Sequence, residues 1–148
     1  MATGFLSSAF GASSTASANY ANAIGYENEA SGLASAALGM QNTSSGDNSI
    51  AFGRGNLTSA SAASAFGYSN TASASNAIAF GRNNNATGPY AQAFGAGNTA
   101  SGNYSNAIGG LNTSSGYLSS ASGVYNTSSS NSSSAFGYKN TASAASSS

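Results

Sequence analysis

The stretch SAFGYSNTASA at residues 64–74 returns at residues 134–144 as SAFGYKNTASA, with one letter changed. The two copies lie five steps of fourteen residues apart, and this step holds along the whole chain of 148 residues. A fixed period of this length is typical of a solenoid, in which each repeat stacks on its neighbours. Glycine marks the period in ten successive units without an insertion or a deletion, at Gly11, Gly25, Gly39, Gly53, Gly67, Gly81, Gly95, Gly109, Gly123 and Gly137.

Each unit contains two segments that are typical of short β-strands. The first ends in an apolar residue before the glycine, as in NAIAF at 76–80, and the second is rich in small residues, as in NTAS at 70–73. A coiled coil of two heptads per unit is excluded, because it needs apolar residues at both a and d and tolerates few glycines. We therefore predict an all-β fold, a parallel β-roll of ten coils with fourteen residues in each.

The glycine column is predicted to form the coil turns, where the chain takes a positive φ or packs too closely for a Cβ. Asn stands three residues after the glycine in nine of the ten units, from Asn28 to Asn140, and Ser14 is the exception. Asn tolerates left-handed turn geometry and also stacks as an amide ladder between coils. Both roles are compatible with the spacing.

The composition is unusual for a globular protein. Only six residues are charged, and the chain has no Cys and no His. Disulfides and the common zinc sites are therefore excluded, and there is no basic field to attract nucleic acid or anionic lipid. No apolar run approaches the length of a membrane span, so we predict no direct membrane insertion. The abundant serines lack a histidine base, so we predict no catalytic residues, no metal site and no cofactor.

A coil of fourteen residues has almost no interior volume, so its inward positions must be small. Ala, which stands two residues before every glycine, and the Ala, Ser or Thr five residues after it meet that demand. The residue directly before the glycine is large and apolar in nine of the ten units and must point outward. We predict that this column is an oligomer interface made by Phe10, Ile24, Leu38, Phe52, Phe66, Phe80, Phe94, Ile108 and Phe136.

Burial of the whole column favours association. Coils about 4.8 Å apart would carry the column for roughly 45 Å along one side. Full burial of nine such side chains contributes on the order of 15–25 kcal/mol, against an association cost of about 4–15 kcal/mol. Large apolar residues in the interior of a wider single-chain solenoid are the alternative, but the coil perimeter is short.

The repeat resembles the head domains of trimeric autotransporter adhesins, the YadA-like or Hep/Hag type. The resemblance is carried by NSIAFGRGN at 48–56, SNAIAFGRN at 75–83 and SNAIGGLNTSSG at 105–116, and it covers nearly the whole chain. It implies a left-handed parallel β-roll, three of which associate in parallel with the apolar columns inside. It also implies a head that binds host matrix or other surfaces.

Three functions are compatible with the sequence. The first is the head of an extracellular or cell-surface adhesin, whose partners are further copies of itself and a surface glycan or matrix protein. The second is a structural filament that stacks end to end, or a tail-fibre segment on a virion surface. The third is ice binding, because Thr stands four residues after the glycine in seven of the ten coils, although Glu29, Leu57 and Asn85 interrupt that array.

No ligand-binding residue is singled out, since nearly identical coils present nearly identical surfaces. Arg54 and Arg82 share one column two coils apart, and several tyrosines recur in two further columns. Residues 1–148 are predicted to form one repetitive domain with no signal peptide, stalk or anchor.

Overall fold

The computed structural model describes residues 1–145 as a stack of ten coils, each with one five-residue strand and one two-residue strand. The last three residues of the predicted domain, 146–148, lie outside the described residues. The long strands are β1 (Ser8–Ala12), β3 (Asn22–Tyr26), β5 (Ala36–Met40), β7 (Ile50–Arg54), β9 (Ser64–Tyr68), β11 (Ile78–Arg82), β13 (Gln92–Ala96), β15 (Asn106–Gly110), β17 (Ser120–Val124) and β19 (Ser134–Tyr138). The short strands are β2 (Thr15–Ala16), β4 (Glu29–Ala30), β6 (Thr43–Ser44), β8 (Leu57–Thr58), β10 (Thr71–Ala72), β12 (Asn85–Ala86), β14 (Thr99–Ala100), β16 (Thr113–Ser114), β18 (Thr127–Ser128) and β20 (Thr141–Ala142).

The long strands form one ten-stranded parallel sheet and the short strands form another. Each residue pairs with the residue fourteen positions later, as in Phe66 with Phe80 and Gly67 with Gly81. The fourteen-residue period therefore sets the register directly, and the prediction of an all-β parallel solenoid of ten coils is confirmed. Side chains of one column lie directly above one another along the roll.

The prediction that the glycine column forms the coil turns is wrong in position. The ten glycines are the fourth residues of the long strands, with φ between 101° and 122°. The left-handed turn residues lie five positions before each glycine and two positions after it, with φ between 50° and 68°. Most of them are not glycine; Tyr90, Leu111 and Lys139 are examples. The turn residue two positions after the glycine directly precedes the Asn, so the Asn of this column does not itself occupy a left-handed position.

The glycines are required because consecutive coils approach closely at this column. A Cβ built on Gly67 would lie 2.1 Å from the carbonyl oxygen of Gly81 in the next coil. Backbone atoms cannot move aside without breaking the sheet register, and the φ of 116° at Gly67 is itself unfavourable for any residue with a Cβ. Both reasons that the sequence offered for glycine, positive φ and close approach, therefore act at the same residue.

The asparagine column forms a hydrogen-bonded ladder inside the roll. Nδ2 of Asn70 donates to the carbonyl of Phe66 at 2.9 Å, to that of Gly81 at 2.8 Å and to Oδ1 of Asn56 at 3.0 Å. Oδ1 of Asn70 accepts from the backbone N–H and from Nδ2 of Asn84, both at 3.0 Å. The ladder repeats from Asn28 to Asn126 and these are the largest fully buried side chains. The amide ladder, which was one of the two roles considered for Asn, is therefore present, and the prediction that every inward position is small is wrong at this column.

The rest of the interior is made of small side chains, as predicted. The Ala column two residues before the glycine is buried from Ala23 to Ala135, and the column five residues after it is buried from Ala16 to Ala142. Two alanine clusters are separated by buried hydroxyls, where Oγ of Ser44 lies 2.7 Å from Oγ of Ser49 and Oγ1 of Thr58 donates to Ser44 at 3.0 Å. Hydroxyls fit here because they find partners within the core.

Candidate functional site

The large apolar column lies on the outer face of the long-strand sheet, at the third residue of each strand. We call it the apolar stripe; its members are Phe10, Ile24, Leu38, Phe52, Phe66, Phe80, Phe94, Ile108 and Phe136. Phe52 is 53% exposed and Phe80 is 54% exposed, whereas Phe66 between them is partly buried. The structure thus brings the predicted interface residues together on one face, where six of the nine keep 40% to 64% of their surface open to solvent.

The phenyl rings and the glycines beside them enclose a shallow apolar groove. Ring centroids are 6.4 Å apart for Phe52 and Phe66 and 6.2 Å apart for Phe66 and Phe80. The groove has a volume of about 310 Å³ and is lined by these three rings together with Gly53, Gly67 and Gly81. Because glycine has no side chain, the strip beside the rings is recessed, and the face has a ridge and a furrow.

Two isoleucines outside the predicted interface also widen this face. Ile50 and Ile78 stand two residues before Phe52 and Phe80 on the same strands, and alternation puts them on the same side of the sheet. The period-2 pattern in IAFGR, which occurs at both places, could have identified them. Near the other end, Ser122 pairs with Ile108 below and Phe136 above and leaves a gap in the stripe.

Both arginines lie at the last residue of their long strands and flank one tyrosine. Arg54 pairs with Tyr68 in the next coil, and Tyr68 pairs with Arg82 in the coil after that. The guanidinium carbon of Arg54 lies 5.7 Å from the centroid of the Tyr68 ring. We call these three residues the arginine–tyrosine row. Its two-coil spacing agrees with the alignment predicted from the sequence.

Lys139 lies on the same edge of the roll, in the last coil, and is also surrounded by aromatic rings. Its Nζ is 5.0 Å from the ring centroid of Tyr138 and 6.0 Å from that of Tyr125. Each tyrosine lies within the range of a cation–π contact.

The acidic residues do not form a catalytic pair. Glu27 occupies a left-handed turn and Glu29 begins β4, and both are exposed. A hydrogen bond from Gln41 Nε2, at 2.9 Å, lowers the pKa of Glu27, and a second hydrogen bond from Tyr26 lowers it further. The same hydrogen bond and the charge of Glu27 raise the pKa of Tyr26. Glu27 is therefore an ordinary ionised carboxylate held by neutral donors.

A second group of tyrosines lies at the opposite turn of the coil. The rings of Tyr90 and Tyr104 are stacked with centroids 4.8 Å apart and an interplanar angle of 3°. Tyr117 meets Tyr104 edge-on at 6.1 Å. Because stacked rings cover one another, this group buries part of its own apolar surface within the chain.

The threonine column lies at the first residue of each short strand. Thr99, Thr113, Thr127 and Thr141 pair in an unbroken ladder. In the other half of the roll, the exposed residues Glu29, Leu57 and Asn85 stand in every second coil of the column. The hydroxyl array that ice binding would use is therefore regular only over the last four coils.

Residues 1–145 contain no cluster of three or more His, Cys, Asp or Glu side chains placed to hold a metal ion. Within the same range, no helix has the length and apolar character needed to cross a membrane.

A parallel β-solenoid with an outward apolar stripe and a fourteen-residue period is the architecture of a repetitive head domain. The family model of the YadA head domain repeat (2 copies) matches residues 2–28, 30–56, 59–84, 86–112 and 114–140, so the chain belongs to this family. Each match spans nearly two coils, and five matches account for the ten coils. No curated protein matches the chain. The family is one of surface-exposed adhesin domains.

Proposed function

We propose that this chain is the head of a trimeric surface adhesin, a left-handed β-roll of which three copies associate in parallel through their apolar stripes. The observation that carries the proposal is the stripe itself, an unbroken run of large apolar side chains from Phe10 to Ile108 on an outer sheet face. A contiguous exposed patch of this length marks an interface rather than an ordinary surface. Family members of this type self-associate into trimers, which supports three copies as the occupants.

The energetics of the stripe favour a cooperative interface along the whole length of the roll. Its exposed members retain 40% to 64% of their surface, so association can bury only about half of what full exposure would offer. The gain is then on the order of 10 kcal/mol per chain, which is comparable to the association cost of about 4–15 kcal/mol. Ile50 and Ile78 add to the gain, and no single coil is sufficient.

The shape of the face supports packing between copies. The phenyl rings project as a ridge, and Gly53, Gly67 and Gly81 form the floor of a furrow beside it. A phenyl ring from another copy fits the chemistry of this furrow, whose lining is almost entirely apolar. Identical chains in parallel would place the ridge of one next to the furrow of its neighbour in every coil.

The role of the trimer is adhesive rather than enzymatic, and its location is extracellular or on the cell surface. The buried serine hydroxyls face the interior, where Ser35 and Ser105 have no hydrogen-bond partner and no base. The exposed surface carries few charges and many amides, hydroxyls and tyrosines, which are groups that form weak contacts with glycans and proteins. Repetition along three chains would multiply such contacts.

The decisive experiment measures particle mass. Phe66→Asp with Phe80→Asp places two carboxylates in the stripe, and we expect light scattering to show the mass of a monomer or of an aggregate in place of a trimer. The matched control is Tyr90→Asp with Tyr104→Asp, which makes the same change at the opposite turn and should leave a trimer. A wild-type mass of one chain would contradict the proposal. A trimer that adheres to no glycan-coated or matrix-coated surface would contradict the adhesive role and favour a structural fibre.

A further inference from the structure

The three basic residues of the chain are Arg54, Arg82 and Lys139, and all three lie on one edge of the roll, at or directly after the end of a long strand. Only six of the 148 residues are charged. The positive charge of this almost uncharged surface is therefore concentrated on one edge. Neither arginine makes an ion pair among residues 1–145. The nearest carboxylate on this edge is Glu27, two coils below Arg54, and it is engaged by Gln41.

The arginine–tyrosine row holds its groups in a fixed arrangement. Arg54 lies over the ring of Tyr68, which leaves fewer side-chain rotamers to be lost when a ligand binds. Arg82 stands on the other side of the same tyrosine. Because each coil rises by about 4.8 Å, the two guanidinium groups start from backbone positions about 10 Å apart along the roll. A guanidinium fork matches the two oxygens of a carboxylate or a sulfate.

We infer that the arginine–tyrosine row binds an anionic polysaccharide, with one sulfate or carboxylate at each arginine and a sugar ring against Tyr68. Spacing selects this class of ligand. A linear polysaccharide whose charge recurs on every second sugar carries its anions at a spacing comparable to the two-coil step. A nucleic acid carries one charge per about 1.7 Å of duplex axis, far too dense for two cations spaced in this way. The tyrosine between the arginines offers an aromatic and hydroxyl contact to the sugar that separates the two anions.

This inference deepens the proposed adhesive function. It rests on that function only in the number of arginine–tyrosine rows that one particle carries. A trimer would present three copies of the row around one fibre, and a polymer that reached more than one would bind with higher avidity. The row itself lies within one chain, so the site can be tested separately from the oligomeric state.

The test uses the full chain and three immobilised polymers: kappa-carrageenan, which carries a sulfate on every second sugar, hyaluronate, which carries a carboxylate on every second sugar, and dextran, which is uncharged. We expect retention on at least one of the charged polymers, weakening as salt rises, and none on dextran. Arg54→Gln with Arg82→Gln should weaken retention by about tenfold for each guanidinium removed. Lys139→Gln removes the same charge outside the row and should change retention less than about twofold.

A second variant separates the guanidinium fork from simple charge. Arg54→Lys with Arg82→Lys keeps both charges but loses the planar fork, and we expect binding between wild type and the glutamine variant. Circular dichroism and particle mass of every variant check that fold and assembly are unchanged. Equal retention on dextran, an unaffected glutamine variant, or an equal loss in Lys139→Gln would overturn the site. A trimer that binds no charged polymer would overturn only this inference. A monomer that still binds through the two arginines would overturn only the proposed trimer.

Discussion

The side-chain amide of Asn70 donates a hydrogen bond of 2.8 Å to the carbonyl of Gly81, the glycine of the next coil. That carbonyl points back toward Gly67, where a Cβ would lie only 2.1 Å from its oxygen. The glycine and asparagine columns therefore depend on each other structurally. The positive φ of the glycine directs the carbonyl toward the asparagine of the preceding coil, and the asparagine satisfies a group that would otherwise be buried without a partner.

The first prediction concerns Gly67→Ala. The added Cβ meets backbone atoms of Gly81 and requires an unfavourable φ, so we expect the free energy of unfolding to fall by about 2–4 kcal/mol. Thermal unfolding followed by circular dichroism measures the change. The control is Gly55→Ala, where φ is 65° and the nearest atom is Ser69 Oγ at 3.5 Å. It should cost about 1 kcal/mol, the penalty for a left-handed residue alone. Equal losses would contradict the close-approach argument.

The second prediction concerns Asn70→Ala. The change leaves the carbonyls of Phe66 and Gly81 without their amide donor and the backbone N–H of Asn84 without its acceptor. We expect a loss of about 3–5 kcal/mol in the free energy of unfolding, because several buried groups become unsatisfied together. Denaturant titration measures it.

Two related variants test whether the effect arises from the ladder. Asn70→Ser should lose less than Asn70→Ala, because Ser14 already holds the equivalent place in the first coil with bonds to Gly25 O at 3.2 Å and from Asn28 N at 3.3 Å. Asn140→Ala, in an exposed position of the last coil, should change stability little. A larger loss at Asn140 than at Asn70 would place the stabilisation elsewhere.

Register and side-chain facing could be predicted because both follow from the period. A strict repeat of fourteen residues aligns Phe66 with Phe80 and Gly67 with Gly81 once parallel stacking is assumed. Alternation along the strand then places Ala65 inside and Phe66 outside. The apolar stripe and the two-coil spacing of Arg54 and Arg82 were accessible for the same reason.

The turn positions could not be predicted from residue preferences, and the amide ladder that the Asn column allowed could not be placed in the interior. Leu111 and Tyr125 adopt left-handed φ against their usual preference, since stacked neighbours fix the path of the chain at every coil. Asn42 is fully buried because amides stacked in register satisfy one another, and a single coil gives no sign of that cooperation. Repetition therefore overrides local propensity at the turns and in the core.

The third prediction concerns pH and Glu27. Its pKa lies below the ordinary value of 4.5 in the folded state because Gln41 and Tyr26 donate hydrogen bonds to the carboxylate. A lowered folded-state pKa means that the contribution to stability is present above about pH 4.5 and is lost as the pH falls through the lower folded value. We expect Gln41→Ala to raise the pKa of Glu27 toward 4.5 in an NMR titration of the carboxyl carbon. An unchanged pKa would show that Gln41 does not hold the carboxylate.

The last prediction fills the gap in the apolar stripe. Ser122 stands between Ile108 and Phe136 at a position where other coils carry large apolar side chains. Ser122→Phe should extend the stripe and stabilise the proposed trimer by about 1 kcal/mol per chain, because the half of the added ring that stays exposed in a single chain is buried on association. The midpoint of trimer dissociation in denaturant measures the gain. The matched control is Ser129→Phe, an exposed serine of the same region that lies after a short strand and outside the stripe. It should leave the midpoint unchanged, and a Ser122→Phe variant that dissociates more easily than wild type would mean that the stripe does not face another copy in this part of the roll.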